Sequence, residues 1–181
     1  MKKTAVILLS IATLCFAATE SRISRATILA VERSVDQKIA AYSPDPYYAL
    51  GDARATYLEG YGVLITNELN LINDASMSPS PFKPAVTKEE IAAARARKDK
   101  KLVELKDTMR QLMMNASVTL ENLPPNEHVA METILFSYSW ENSRGLPHRV
   151  FMTAEKQKLL DAKAAHAAPQ DLAAIIEEQE R

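Results

Sequence analysis

The first apolar run along the chain follows two lysines and contains no charged residue. It covers residues 5–16, whereas a membrane-spanning helix needs about 20 apolar residues. Cys15 and Ala17 place small side chains three positions and one position before a cleavage point after Ala17. This pattern predicts a signal peptide at residues 1–17 and an exported product, periplasmic or secreted. A buried N-terminal helix and a lipoprotein acylated at Cys15 are the alternatives, and the bulky Leu14 disfavours the second.

Removal of the signal peptide changes the composition of the chain. The single cysteine is lost, and the predicted mature chain carries 20 basic and 23 acidic residues, a net charge of −3. Disulfides, thiol catalysis and cysteine-bound metal are therefore excluded for the mature chain. Dedicated nucleic-acid-binding proteins are usually basic, so no nucleic-acid partner is expected. No second apolar run approaches spanning length, and we expect a soluble product with no integral membrane segment after cleavage.

The first half of the mature chain predicts one helix followed by one strand. Residues 20–41 have apolar side chains at helical spacing, and prolines within residues 43–46 stop the helix. Between positions 57 and 71, six apolar or aromatic residues fall on odd positions, which is the period of a strand with one strongly apolar face: Tyr57, Tyr61, Val63, Ile65, Leu69 and Leu71. Gly60 and Gly62 lie on the other face and indicate a bulge, or close approach by another backbone. The segment after this strand is rich in turn-forming residues and is predicted to be a loop, at residues 73–84.

A capping box marks the start of the longest predicted helix. The hydroxyl of Thr87 can accept from the third helical N–H, and the side chain of Glu90 can accept from the N-cap N–H. An apolar stripe continues behind these two residues. The helix is predicted to end near Asn122, because two prolines follow shortly afterwards.

A hairpin and two further helices complete the predicted elements. The first hairpin strand is expected to bury the even-numbered face of its second half. The connecting loop contains Gly145, which is expected at positive φ. The predicted segments are a strand at 129–140, a loop at 141–147, a return strand at 148–153, a helix at 155–166 and a tail helix at 171–181.

Together these elements predict an α+β domain with a small antiparallel sheet of about three strands. The sheet packs on one long helix, with N-terminal and C-terminal helices beside it. The domain is expected to cover residues 18–168, and a short amphipathic tail helix follows at residues 169–181. With 47% hydrophobic and 25% charged residues, the composition is typical of a globular chain.

Few residues are spaced for catalysis or metal binding. The sequence lacks the nucleophile-elbow, phosphate-loop and HExxH motifs, and no catalytic residue or cofactor is assigned. His128 and Glu132 share one face in a helix or a strand, and His148 is a third ligand if the hairpin strands place it beside them. These three are weak candidates for a metal site, because zinc sites use three or four protein ligands. Partly exposed strand residues are the alternative interpretation.

Aromatic residues form a second group of candidates. Four of them are weak candidates for a groove that binds a peptide or a sugar: Tyr57, Tyr61, Tyr138 and Trp140. Aromatic side chains at alternate strand positions belong more often to the core.

Charged residues give two further hypotheses. A carboxylate pair for glycosidic chemistry is conceivable among four acids, with solvated surface acids as the default: Asp45, Asp52, Glu59 and Glu68. Residues 88–110 carry eight basic and five acidic residues. That pattern is typical of a solvated helix face, and weak contact with an anionic surface is the alternative.

Three segments resemble a group of uncharacterised exported bacterial proteins. They are residues 57–72 (YLEGYGVLITNELNLI), residues 87–90 (TKEE) and residues 124–147 (PPNEHVAMETILFSYSWENSRGLP). The resemblance covers most of the mature chain and implies a bacterial envelope location. It implies no activity, cofactor or site residue.

Two classes of function remain after these exclusions. The first is a non-catalytic envelope protein that binds a partner protein through a sheet edge, the long helix or the tail, whose apolar residues Leu172, Ile175 and Ile176 need a cover. Docking of the tail on its own domain is the simpler explanation of those residues. The second is a secreted hydrolase or a small-ligand or metal-binding protein, with a site around residues 57–70 and 128–148. The sequence leaves the oligomeric state open.

Replacing Gly145 with Val tests the predicted hairpin loop. A β-branched residue at positive φ is strained, so we expect the free energy of unfolding to fall by about 1 kcal/mol or more. Thermal denaturation of the purified chain measures the effect. An unchanged melting temperature would show that the turn is misplaced.

Overall fold

The computed structural model describes residues 23–41, 46–72 and 86–181. The predicted signal peptide and the predicted loop at 73–84 lie outside these residues. The described elements, in chain order, are α1 (Arg25–Ala40), β1 (Tyr48–Ala49), β2 (Arg54–Leu58), β3 (Gly62–Asn70), α2 (Lys88–Thr119), β4 (His128–Leu135), β5 (Arg149–Glu155), α3 (Lys156–Ala164), a 3-10 helix (Asp171–Ala174) and β6 (Glu177–Glu180).

The strands form one mixed sheet of six strands, in the order β1-β3-β4-β5-β6. β2 also pairs with β3, so β1 and β2 lie along the same side of that strand. β3 and β4 run parallel, and the other pairs are antiparallel. The predicted α+β class holds, but the prediction of an antiparallel sheet of about three strands is wrong. Parallel neighbours need a long crossover, and α2 supplies it.

The segment predicted as one strand from 57 to 71 is a hairpin. β2 and β3 pair around a turn in which Gly60 has φ +75°, and the N–H of Tyr61 donates to the carbonyl of Leu58 over 3.0 Å. Tyr57 lies opposite Val63 in the register, so odd positions before and after the turn share a face. The period-two pattern therefore continues through the reversal and does not reveal it.

Gly62 confirms the predicted close approach by another backbone. Its φ is +137°, and a Cβ atom at this position would overlap the carbonyl oxygen of His128 and lie 2.6 Å from the His128 nitrogen. The N–H of His128 donates to the carbonyl of Tyr61 over 2.7 Å. The start of the parallel β3–β4 pair thus requires a residue without a side chain.

The helices cover one face of the sheet, and the core lies between them and the strands. The capping box of α2 is confirmed, because Thr87 and Glu90 exchange their side-chain and backbone hydrogen bonds. α2 ends at Thr119, close to the predicted end. The strand residues that face the helices are Val63, Ile65, Leu69, Val129, Met131, Leu135, Val150, Met152 and Ala154.

β4 is shorter than predicted and buries the opposite face. It ends at Leu135, and its odd-numbered residues face the core, whereas Ile134 is 44% exposed. Residues 136–148, the β4–β5 loop, carry the alternating aromatic residues that extended the strand pattern. Those rings pack on one another in the loop. The alternation of aromatic residues in the sequence therefore continues past the point where the strand ends. Within this loop Gly145 has φ +77°, as predicted.

The predicted tail helix is also wrong. Leu172 and Ile176 are buried in the core of the same domain, so the tail covers its own apolar residues. The chain then continues as β6, which pairs antiparallel with β5. An α-helix and this short 3-10 turn both bring Leu172 and Ile176 to one side of the chain. The sequence pattern therefore does not distinguish the two structures. Across residues 23–41, 46–72 and 86–181, every helix is too short or too polar to cross a membrane.

Substitution of Gly62 by Ala tests the close approach of β3 to β4. The new methyl group would force the two backbones apart, and we expect a loss of about 2 kcal/mol or more in unfolding free energy. Gly51→Ala is the matched control, because no atom lies within 4 Å of a Cβ at that position. Chemical denaturation measures both variants, and equal midpoints for them would contradict the proposed contact.

Candidate binding surface

The basic residues of α2 bind other elements of the fold. Lys98 is 1% exposed, donates from Nζ to the Phe136 carbonyl over 3.2 Å and forms an ion pair with Glu141. Arg95 donates to the carbonyls of Asn142, over 3.2 Å, and of Arg144. Burial lowers the pKa of the Lys98 ammonium from its usual 10.5, and the Glu141 carboxylate opposes that decrease. Both cations therefore fix the β4–β5 loop against α2.

A second pair of cations on α2 fixes the last strand. Lys106 pairs with Glu178 over 2.8 Å and also with Glu180, and Arg110 pairs with Glu178 over 2.7 Å. Burial by itself lowers the pKa of Lys106, but the hydrogen bonds and charges of the two glutamates outweigh it, and the pKa is raised above 10.5. Lys101 lies 4.8 Å from the centre of the Tyr47 ring. Five of the eight basic residues at 88–110 thus contact other elements of the fold, and Lys100 pairs with Glu104 on α2 itself. This leaves little of the run for an anionic surface.

The structure does not bring the three candidate metal ligands together. His128 and Glu132 lie four residues apart on β4, which corresponds to roughly 13 Å along a strand. His148 lies at the other end of the hairpin, where its carbonyl accepts from Leu135. The His128 ring stacks on Tyr61 with ring centres 5.3 Å apart. In the part of the chain that the structure describes, no three His, Cys, Asp or Glu residues group as metal ligands.

The four aromatic candidates also occupy three separate places. Tyr57 faces the helices and donates to Glu127 over 3.2 Å. Burial, together with the Glu127 carboxylate, raises the pKa of its hydroxyl. Tyr61 lies on the opposite face of the sheet, 3.2 Å from the Thr153 hydroxyl. Tyr138 and Trp140 stack on each other in the β4–β5 loop, with ring centres 5.7 Å apart. These residues do not line one groove.

The face of the sheet that points away from the helices, here called the open face, has a different composition at its two ends. At one end the Tyr61 ring covers His128 and reaches Thr153. At the other end, apolar side chains remain uncovered, with Ile134 at 44% and Leu50 at 41% exposure. Even-numbered residues of β3 and β4 and odd-numbered residues of β5 and β6 supply this face.

Two depressions lie on the uncovered end of the open face, one on each side of β4. The first has a volume of about 210 Å³ and is lined by Glu132, Arg149, Phe151, Gln179 and Arg181. The second has a volume of about 220 Å³ and is lined by Leu50, Gly51, Asp52, Arg54, Thr66, Asn67, Glu68 and Ile134. In the first depression Arg149 and Glu132 form an ion pair over 3.1 Å.

The second depression brings together two of the candidate carboxylates. Asp52 and Glu68 both line it, although they belong to different segments. Glu59 lies in the turn between β2 and β3, at the other end of the sheet. Asp45 lies outside the described residues.

Sequence reasoning missed most residues of the open face. The sequence pattern places Ile134 on a buried even-numbered face and gives no signal for Arg149 or Arg181. The alternation along β4 contains the signal for the open face. Val129, Met131 and Leu135 occupy odd positions and are buried, whereas Ile134 occupies an even position. Comparison with known proteins finds no matching family model, curated protein or solved structure.

Removal of one partner of the buried ion pair tests the anchoring of the β4–β5 loop. Lys98→Met leaves the Glu141 carboxylate, 5% exposed, without its cation, and we expect destabilisation of ~3–5 kcal/mol. The double variant Lys98→Met, Glu141→Leu should recover most of that loss, because neither charge is then buried. Lys100→Met is the control, since its ammonium is largely exposed. A double variant as unstable as the single one would contradict this account.

Proposed function

We propose that this protein is an exported, non-catalytic binding protein that contacts a partner protein through the uncovered end of its open face. The export part of the proposal rests on the basic residues, the short apolar run and the small residues at the N-terminus. The binding part rests on one observation: apolar side chains lie uncovered in the middle of a charged sheet surface.

The composition of this surface supports protein binding. Protein interfaces have an apolar centre and a polar rim. Ile134 lies on β4, the middle strand, and Leu50 and the half-buried Phe151 lie in the depressions to either side. Arginine and carboxylate side chains surround them. Residues of both charge signs at the rim, together with an apolar centre, fit a protein partner better than a single small anion or cation.

The geometry favours this function over the metal-binding and aromatic-groove alternatives. The first needs His128, Glu132 and His148 near one another, and the second needs one groove lined by all four aromatic candidates. The structure places the first set at opposite ends of a hairpin and divides the second set between both faces of the sheet and a loop.

Position-specific photo-crosslinking in cells that export the full chain tests the proposed surface. A benzoylphenylalanine in place of Ile134 should form a covalent adduct with a protein, because this position lies at the centre of the surface. The same group in place of Val103 is the control, since that residue is 63% exposed on α2. We expect the adduct at position 134 and not at position 103.

Two outcomes would contradict the proposed function. One is the absence of any protein adduct at position 134, and the other is the same set of adducts at both positions. A melting temperature equal to that of the unsubstituted chain shows that each variant is folded.

A further inference from the structure

One row of neighbouring side chains crosses the uncovered end of the open face. Glu68 on β3 lies opposite Ile134 on β4, and Ile134 lies opposite Arg149 on β5. Arg149 and Arg181 exchange backbone hydrogen bonds of 3.0 and 3.2 Å, which places Arg181 next in the row. Asp52 shares the depression with Glu68 on the far side of β3. The row therefore runs from acidic, through an apolar centre, to basic.

The charged side chains that line the two depressions sum to opposite signs. The one beside β3 contains Asp52, Glu68 and Arg54, and the one beside β5 contains Glu132, Arg149 and Arg181. The formal charges of these side chains therefore sum to −1 and +1. Within the described residues, the carboxylates of Asp52 and Glu68 and the guanidinium of Arg181 form no ion pair. Like charges beside each other on a sheet repel. A surface of opposite charge would relieve the repulsion between Asp52 and Glu68 and that between Arg149 and Arg181.

This arrangement is complementary to itself under one symmetry operation. A two-fold axis parallel to β4 and lying between two open faces places the β3 side of one chain over the β5 side of the other. Ile134 then faces Ile134 of the second copy, and Glu68 faces Arg149. Arg181 faces the segment that contains Leu50 and Asp52, because the Leu50 N–H donates to the Glu68 carbonyl over 2.9 Å. An axis perpendicular to the strands would instead place like charges against like charges.

We propose that the partner bound by the open face is a second copy of this chain, in a face-to-face dimer about a two-fold axis parallel to β4. This inference rests on the proposed function, because it uses the same surface. Closed two-fold dimers use one self-complementary patch on both chains. Facing sheets pack with their strands within about 30° of each other, so the sheet twist permits this arrangement.

The remaining side chains of the surface are compatible with the dimer. Phe151, two positions from Arg149 on β5, would face Thr66 on β3 of the second copy. Glu132 lies near the axis and would approach its own copy. Its ion pair with Arg149 compensates that charge within each chain. A different protein partner would not require charges that are opposite on the two sides of β4.

Charge reversal with complementation tests the dimer. The first variant is Asp52→Lys with Glu68→Lys, and the second is Arg149→Glu with Arg181→Glu. Each variant alone places like charges together across the interface, so sedimentation of the purified mature chain should show one chain per particle. An equimolar mixture restores opposite charges between the β3 side of one chain and the β5 side of the other, and it should sediment as a particle of two chains. The unsubstituted chain and Val103→Lys should both be dimeric.

Each remaining outcome decides between the two proposals. A monomeric unsubstituted chain, or a mixture that stays monomeric, overturns the dimer. If position 134 nevertheless crosslinks to a different protein, the proposed function stands and the dimer fails. If position 134 gives no adduct, both fail. Should repulsion from Glu132 unfold the Arg149→Glu variant, Asp52→Lys and Arg181→Glu as single substitutions repeat the design.

Discussion

Parallel strands cannot be joined by a tight turn, and the pairing of β3 with β4 therefore requires the long α2 crossover. This requirement fixes the direction of β4 and places α2 across the sheet. At the start of the pair the two backbones come so close that Gly62 has no room for a Cβ atom. A local backbone constraint and the longest helix of the chain thus serve the same strand pairing.

The charges on α2 then position the parts of the chain that backbone pairing alone does not hold. Lys98 and Arg95 bind the β4–β5 loop, and Lys106 and Arg110 bind the last strand. A cation in a partly buried site is stabilised when a carboxylate or a carbonyl accepts from it, and here each of the four has such an acceptor. These four side chains are consequently occupied within the fold.

The open face differs from the helix layer in this respect. Most of its charges are exposed, and they are divided between two depressions of opposite sign on either side of an uncovered isoleucine. A division of this kind makes one surface complementary to a rotated copy of itself. The charges on α2 thus stabilise the domain, and the proposed binding uses the exposed charges of the open face.

The sequence determined α1, α2 and α3, the capping box, the α+β class and the positive φ of Gly145, because each follows from local spacing or from the conformational range of one residue. Tertiary structure decided the parallel pairing of β3 with β4, the end of β4 at Leu135 and the addition of β6. It also decided which charges on α2 meet which acceptors. These features depend on contacts between residues far apart in the chain, and the periodicity of a single segment does not report what lies opposite it. The open face belongs to this second group, because its row of side chains forms only when neighbouring strands of the sheet pair in register.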